Sequence, residues 1–144
     1  MKVRDVMNDR VIGIGPQESV AVAARTLAQY NIGVLPVRGE NGKLCGVVTD
    51  RDLVTRCVAA NRNPETTCVK TVMTKQVVSV SPEMDTSEMA ALMGRKQIKR
   101  MPVVQQGMLC GMVSLSDLNG NPMSSADTTN ALAGIWSNIT KETE

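Results

Sequence analysis

The chain has 144 residues, of which 42% are hydrophobic and 21% charged, and its net charge at pH 7 is +2. So small a charge gives no electrostatic argument for nucleic-acid binding, and one Trp and one Tyr without any Phe offer no platform for stacking single strands. The absence of His and of a Cys-x-x-Cys pair argues against a zinc site and removes the commonest general base. No run approaches the roughly 18 apolar residues of a membrane span, and the N-terminus lacks an apolar signal region, so a cytoplasmic protein is expected.

The first sixty residues predict a strand, a helix, a hairpin and a second helix. Residues 11–14 form a short apolar run that stops before Pro16, which is typical of a strand. Ser19 is a suitable N-cap for a helix over residues 19–31, whose apolar positions recur at helical spacing. Residues 34–37 and 44–48 predict a hairpin across Asn41-Gly42, and residues 50–60 predict the last helix.

The next stretch repeats the same order of elements, with a strand at residues 77–80 and a helix capped by Asp85. Matched residues lie 66 positions apart before the hairpin turn and 65 apart after it, because the second turn is one residue shorter. The matched pairs are Pro16 and Pro82, Pro36 and Pro102, and Gly46 and Gly111. The expected division is a first repeat at 1–62, a linker at 63–68, a second repeat at 69–119 and an extension at 120–144.

These elements predict an α+β fold of two tandem β-α-β-β-α repeats that pack with pseudo-twofold symmetry. One copy of about 60 residues would be marginal alone because small domains bury too little surface, so two copies would close one core. In the extension, an apolar stripe at i, i+3, i+4 and i+7 predicts an amphipathic C-terminal helix; it consists of Leu132, Ile135, Trp136 and Ile139. The pattern leaves open whether this helix docks on its own domain or contacts a partner.

Each repeat closes on a strand-to-helix turn with the pattern Gly, two apolar residues, a hydroxyl, two variable residues and Asp. We name residues 46–52 the first corner and residues 111–117 the second corner. A carboxylate in the first turn of a helix can accept both hydroxyl protons of a vicinal diol, and the nearby hydroxyl can donate or accept. The alternative is that both Asp residues only cap helices. The thiols that precede each corner, Cys45 and Cys110, are expected to be small buried strand residues.

With both corners in place, the duplicated unit resembles the CBS domain (cystathionine beta-synthase motif) arranged as a tandem pair, over roughly residues 1–119. The chain is similar to small stand-alone bacterial CBS-pair proteins. The resemblance implies a module that binds adenosine-containing ligands: AMP, ADP, ATP or S-adenosylmethionine. It also implies a flat, disc-like homodimer, and neither a required cofactor nor a metal site nor catalytic residues.

The resemblance further implies a role for individual residues. The ribose would be held by the hydroxyl and Asp of each corner, which are Thr49, Asp52, Ser114 and Asp117. Each cleft would take the corner of one repeat and the first strand and pre-proline residues of the other, so that the adenine contacts Val11, Ile12, Val34, Leu35, Val77, Val78 and Met101. Phosphate would be bound by Arg51, Lys99 and Arg100, since Arg can bind it bidentately.

The two clefts are expected to be unequal. Arg51, Lys99 and Arg100 accompany the first corner, whereas Ser116 and Gly33-Val34 stand at the matching places of the second. We therefore expect the first cleft to bind AMP, ADP or ATP, and the second to bind weakly, to bind a less charged adenosine compound or to stay empty. The expected function is a non-catalytic regulatory module. The alternative is a scaffold or stress-related interaction protein with vestigial clefts.

Overall fold

The computed structural model describes residues 1–118, and the predicted C-terminal helix lies outside this range. Within residues 1–118, four α-helices and four strands occur, in this chain order: α1 Val20–Tyr30, β1 Val34–Arg38, β2 Leu44–Thr49, α2 Asp50–Leu53, α3 Val69–Val72, α4 Thr86–Lys96, β3 Arg100–Gln105 and β4 Met108–Ser114. A π-helical turn, Val54–Val58, continues α2, and 3-10 turns occupy Val3–Asp5 and Leu115–Leu118. Of the helices between residues 1 and 118, none is both long and apolar enough to cross a bilayer.

The two long helices begin and end where their sequences predict. Ser19 caps α1, because its hydroxyl accepts a hydrogen bond from the amide of Val22 at 3.2 Å. Asp85 caps α4 by accepting from the amide of Ser87 at 2.9 Å, and this backbone hydrogen bond lowers the pKa of the Asp85 carboxyl. Both helices end at a residue in the left-handed region, Asn31 for α1 and Gln97 for α4.

The strands form two antiparallel hairpins, β1 with β2 and β3 with β4. In the first, Val37 pairs with Gly46 and Arg38 pairs with Leu44, so that Cys45 is an extra residue in a bulge. The bulge leaves Cys45 without an opposite residue on β1, and its side chain is exposed, so the prediction of a buried thiol is wrong for this residue. Cys110, in β4, is half-buried against the core.

The predicted first strands at residues 11–14 and 77–80 reduce to single parallel bridges, Ile14 to Val37 and Val80 to Val103. Ile14 donates to the Pro36 carbonyl at 3.1 Å and accepts from Arg38 at 2.9 Å. The next bonds of a parallel ladder would need N–H donors at Pro36 on one side and at Pro16 on the other, and proline has none. Pro102 and Pro82 limit the Val80 bridge in the same way. The prediction of two full strands is therefore wrong.

Residues 1–118 divide into two compact units whose boundaries differ from those of the sequence repeats. The first-corner unit consists of Ile12–Val77 with Gly107–Leu109, and the second-corner unit consists of Met1–Val11, Val78–Gln106 and residues 110–118. The leading segment of each repeat thus belongs to the unit that holds the corner of the other repeat. This exchange fixes which side chains surround each corner.

Each unit has its own hydrophobic core. In the first-corner unit, Leu35 of β1 and Val48 of β2 are fully buried together with Val69 of α3. The core of the second-corner unit depends on long flexible side chains, since Met89, Met93 and Met101 are all fully buried. Methionine fills irregular gaps well, which suits a protein with so few aromatic residues.

An exposed charge cluster secures the N-terminal segment within the second-corner unit. Glu83 lies 2.7 Å from the ammonium of Lys2 and 2.8 Å from the guanidinium of Arg4. The hydrogen bond from Lys2, with the positive charge of Arg4 beside it, lowers the pKa of the Glu83 carboxyl. Glu83 is therefore held in its charged form, and its contribution to stability depends on pH.

Candidate functional site

The first corner is built as a reciprocal helix cap. Thr49 ends β2 and is the N-cap of α2, where its hydroxyl accepts from the amide of Asp52 at 3.0 Å. The Asp52 carboxylate in turn accepts from the amide of Thr49 at 3.0 Å. These two bonds form a capping box, so the capping role is present in the structure. Capping uses part of the acceptor capacity of Asp52, since a carboxylate has about four lone-pair sites.

Two further side chains lie beside the carboxylate of Asp52, a residue that is only 7% exposed. The hydroxyl of Thr74 donates to both carboxylate oxygens at 3.2 Å, and Nε of Arg56 lies 3.9 Å from Oδ1. In the described part of the chain no group accepts a hydrogen bond from the Thr49 hydroxyl. The first corner therefore has an Asp52 carboxylate that is held in place by the Thr49 amide and by Thr74. Beside it, the Thr49 hydroxyl can donate its proton to a ligand oxygen.

The second corner has the same frame but different side-chain bonds. The Asp117 carboxylate accepts from the amide of Ser114 at 2.7 Å and from its hydroxyl at 3.0 Å, and the Ser114 and Ser116 hydroxyls lie 2.8 Å apart. Asn8 occupies the position that corresponds to Thr74, but its side chain accepts from the amide of Arg10 at 3.0 Å. The Ser114 hydroxyl thus donates to the Asp117 carboxylate, whereas the Thr49 hydroxyl of the first corner does not donate to Asp52.

The motif glycines are required by the close approach of another chain segment. A Cβ at Gly46 would lie 2.5 Å from the carbonyl oxygen of Thr74, and a Cβ at Gly111 would lie 2.8 Å from that of Asn8. The approach is close because Thr74 exchanges two hydrogen bonds with Val47, at 2.8 and 2.9 Å. The leading segment of the opposite repeat is thereby fixed beside each corner.

The side chains predicted to contact adenine fall into two groups. Leu35 and Met101 are fully buried core residues, and adenine could reach them only if the core repacked. The other five are half-buried: Val11, Ile12, Val34, Val77 and Val78. Within residues 1–118, no hydrogen bond involves the main chain of residues 11–13 or 77–79, because the prolines end the bridges nearby. Main-chain donors and acceptors therefore accompany these half-buried side chains.

The three predicted phosphate-binding cations are all exposed. Arg51 lies on α2 in the first-corner unit, whereas Arg100 begins β3 and Lys99 directly precedes it in the second-corner unit. Their joint action on one ligand stays a prediction.

Sequence reasoning did not identify a basic groove within the first-corner unit. It has a volume of about 890 Å³ and is lined by four cations, Arg56, Arg62, Lys70 and Lys75. The only signal in the sequence is that residues 54–77 contain these four cations and a single carboxylate, Glu65. No cluster of three or more His, Cys, Asp or Glu side chains that could bind a metal occurs in the described range.

The CBS domain model matches residues 3–59 and 69–121, which is most of the chain. The chain belongs to the CBS domain family. The CBS domain-containing protein YhcV of Bacillus subtilis is 38% identical to it over 133 residues, which cover 92% of this chain and 94% of YhcV. The two matched segments confirm the tandem repeat that the sequence predicts.

Solved CBS structures share the fold. Hypoxic Response Protein I, determined with two coordinated zinc ions, is 30% identical with a TM-score of 0.77, and the match covers 85% of this chain and all of that one. The CBS domain pair of protein MJ0100, in complex with 5′-methylthioadenosine and S-adenosyl-L-methionine, is 26% identical with a TM-score of 0.70; that match covers 83% of this chain and 94% of the other. The predicted α+β fold of paired CBS repeats is confirmed.

Proposed function

We propose that this CBS-pair protein is a non-catalytic regulatory module that binds adenosine-containing ligands of the AMP, ADP and ATP class at its first corner. The observation that carries this proposal is the arrangement of Thr49 and Asp52. A carboxylate held by the Thr49 amide and the Thr74 hydroxyl faces the same corner as a hydroxyl whose proton no described group accepts. The complex of the MJ0100 pair with two adenosine compounds supports the ligand class.

Ribose binding follows from the chemistry of the corner. The 2′ and 3′ hydroxyls of ribose are two donors on adjacent carbons, and the oxygens of Asp52 can accept both in charge-assisted bonds. The Thr49 hydroxyl supplies the complementary donor. Because Thr74 and the capping box hold the carboxylate, binding immobilises few additional side chains and loses little conformational entropy.

Adenine recognition is assigned to the half-buried residues and the main chain beside them. The ring would pack on Val77, which belongs to the same unit as the first corner, while the main-chain N–H and C=O groups of Val77 bond its edge. These groups lack partners among the described residues because Pro82 and Pro102 prevent a longer ladder. We assign Leu35 and Met101 to the core.

The first corner is proposed as the stronger site. Ser114 and Asp117 bond to one another, so a ribose there would have to displace an existing side-chain hydrogen bond. At the first corner, the side chains of Thr49 and Asp52 each bond to the main chain of the other residue and not to one another. This difference supports unequal clefts on grounds that do not depend on the surrounding cations.

The test is calorimetry with AMP, ATP and S-adenosylmethionine on the full chain and on two matched variants, Asp52→Asn and Asp117→Asn. Asparagine keeps one oxygen for the capping amide but removes the charge. We expect Asp52→Asn to weaken ATP binding roughly tenfold to a hundredfold, the cost of a hydrogen bond to a charged group, and Asp117→Asn to have little effect. Equal losses in both variants would refute the asymmetry. No binding of any adenosine ligand would refute the function and favour a scaffold with vestigial clefts.

We also propose that the chain assembles as a homodimer through the helix that follows the first corner. Val54 and Val58 are 58% and 66% exposed, and residues four apart lie on one face of a helix. Two exposed valines on one face favour burial against a second copy. Light scattering should give twice the chain mass for the wild type and one chain mass for Val54→Glu; a monomeric wild type would contradict the proposal.

A further inference from the structure

The basic groove of the first-corner unit has a lining with positive charge and no carboxylate. Arg56 follows α2, Arg62 lies in the next loop, and Lys70 and Lys75 lie in and after α3. Gln17 and Gln76 also contribute to the lining. Four like charges repel one another, and an anion between them would relieve that repulsion.

Among residues 1–118, three cationic side chains outside the groove form ion pairs. Lys2 and Arg4 pair with Glu83, and Arg25 pairs with Glu65. For residues 1–118, no ion pair within 4.0 Å involves Arg62, Lys70 or Lys75. Among residues 1–118, the only carboxylate within 4.0 Å of a groove cation is that of Asp52, whose Oδ1 lies 3.9 Å from Nε of Arg56. The charge of the groove is therefore not neutralised by the described chain.

The orientation of Arg56 is fixed before any ligand binds. Its Nη1 donates to the carbonyl oxygens of Val72 and Met73, at 3.3 and 3.0 Å, while the side chain stays 52% exposed. The remaining guanidinium N–H groups have no hydrogen-bond acceptor among the described residues. A guanidinium held in this way offers donors to a tetrahedral anion at a small entropic cost.

We propose that this groove is a binding site for a short chain of phosphoryl groups. Its volume of about 890 Å³ falls within the range of small-molecule sites, which favours a compact polyanion over an extended macromolecule. The phosphoryl chain could be free inorganic polyphosphate or the tail of a nucleotide, and both present the same chemistry. Thr74 and Arg56 line the groove and also contact Asp52, so the groove begins beside the first corner.

This proposal stands on the groove alone and does not require adenosine binding. It assigns phosphate to cations other than Arg51, Lys99 and Arg100. Lys70 and Lys75 are exposed and form no described ion pair, so they can be replaced without loss of a structural contact.

The experiment is calorimetry of the full chain with inorganic tripolyphosphate, using Lys70→Gln/Lys75→Gln as the test variant. The control is Arg95→Gln/Lys96→Gln, which removes the same charge from exposed residues at the end of α4. We expect the test variant to bind tripolyphosphate roughly tenfold more weakly, and the control to bind it about as the wild type does. Displacement of tripolyphosphate by ATP but not by AMP would assign the site to a nucleotide tail, and failure of ATP to displace it would assign the site to free polyphosphate.

Three results would overturn the proposal. One is the absence of tripolyphosphate binding at millimolar concentration, and another is an equal loss in both double variants, which would indicate bulk charge. The third is tighter binding of an oligoglutamate peptide than of tripolyphosphate, which would indicate an acidic protein surface as the partner. If tripolyphosphate binds and no adenosine ligand does, the proposal of a phosphoryl-binding groove stands and the proposed adenosine-binding function fails.

Discussion

Substitution of Gly46 by alanine should destabilise the first-corner unit by disrupting its contact with the segment around Thr74. The added Cβ would lie 2.5 Å from the Thr74 carbonyl oxygen and 3.2 Å from Sδ of Met73. To reach even 3.0 Å the carbonyl must retreat by about half an ångström. That shift strains or breaks both hydrogen bonds between Val47 and Thr74, which are 2.8 and 2.9 Å long.

Two main-chain hydrogen bonds at about 0.5–1.5 kcal/mol each give a loss of about 1–3 kcal/mol. Alanine restricts the unfolded chain and returns about 0.4–1 kcal/mol, so the net loss should be about 1.3 kcal/mol at the centres of the two ranges and at most about 2.6 kcal/mol. For a chain of this length, the corresponding decrease in Tm is roughly 2–8 °C. Urea unfolding measures the free energy directly, provided that the slope m is unchanged between variants.

Gly15→Ala is the matched control, because a Cβ at that position would meet nothing closer than 3.9 Å, at Cγ of Glu18. The same substitution in open space should be neutral or slightly stabilising. Gly111→Ala should resemble Gly46→Ala, because the Asn8 carbonyl oxygen would lie 2.8 Å away. If Gly46→Ala and Gly15→Ala unfold at the same urea concentration, the assigned role of the motif glycine is wrong.

Three other changes have definite expected outcomes. Thr74→Val removes the hydroxyl that donates to the buried carboxylate of the first corner, and urea unfolding should show a loss of about 1.5–3 kcal/mol; a loss below about 0.5 kcal/mol would contradict the described bond. The hydrogen bond from Lys2 lowers the pKa of Glu83, so the stability that the charged Glu83 carboxylate contributes is present above the unfolded-state pKa and is lost as pH falls through the folded-state pKa. Glu83→Gln should therefore lower Tm at about pH 6 and not at about pH 2.5. An equal effect at both pH values would refute the ion pair. An alkylating reagent should modify exposed Cys45 in the native protein and buried Cys57 only after unfolding, and mass spectrometry of digests would show the reverse order if the bulge is misassigned.

The elements that the sequence predicts well are those with local signals. The side chain of Ser19 itself caps α1, so Ser19 predicts where the helix begins. Asn41-Gly42 lies in the turn between β1 and β2 and predicts the hairpin by its own turn preference. The corners are predictable for the same reason, because a hydroxyl and an Asp three positions apart form a capping box without help from the rest of the chain. Repetition of the whole pattern then predicts the fold class.

The elements that the sequence does not predict depend on contacts between distant segments. An apolar run at residues 77–80 is a sound strand signal, but the length of its ladder depends on whether Pro102 lies opposite. The exposure of Cys45 follows from a bulge that no local signal marks. The basic groove gathers side chains from residues 17 to 76, so no contiguous motif represents it. The hydrogen bond from the Thr74 hydroxyl to the Asp52 carboxylate joins residues 22 positions apart, and no local sequence pattern predicts it.

The exchange of leading segments also determines the order in which the chain can fold during synthesis. Residues 1–11 leave the ribosome first, but most of their unit, residues 78–106, follows much later. At about 5–20 residues per second, this segment waits roughly 5–20 s for its partners. Its buried side chain, Val3, stays in water during that time, while residues 12–77 already contain nearly all of the first-corner unit. Residues 1–11 are therefore synthesised well before the segments with which they pack, whereas residues 12–77 meet most of their own unit as they emerge.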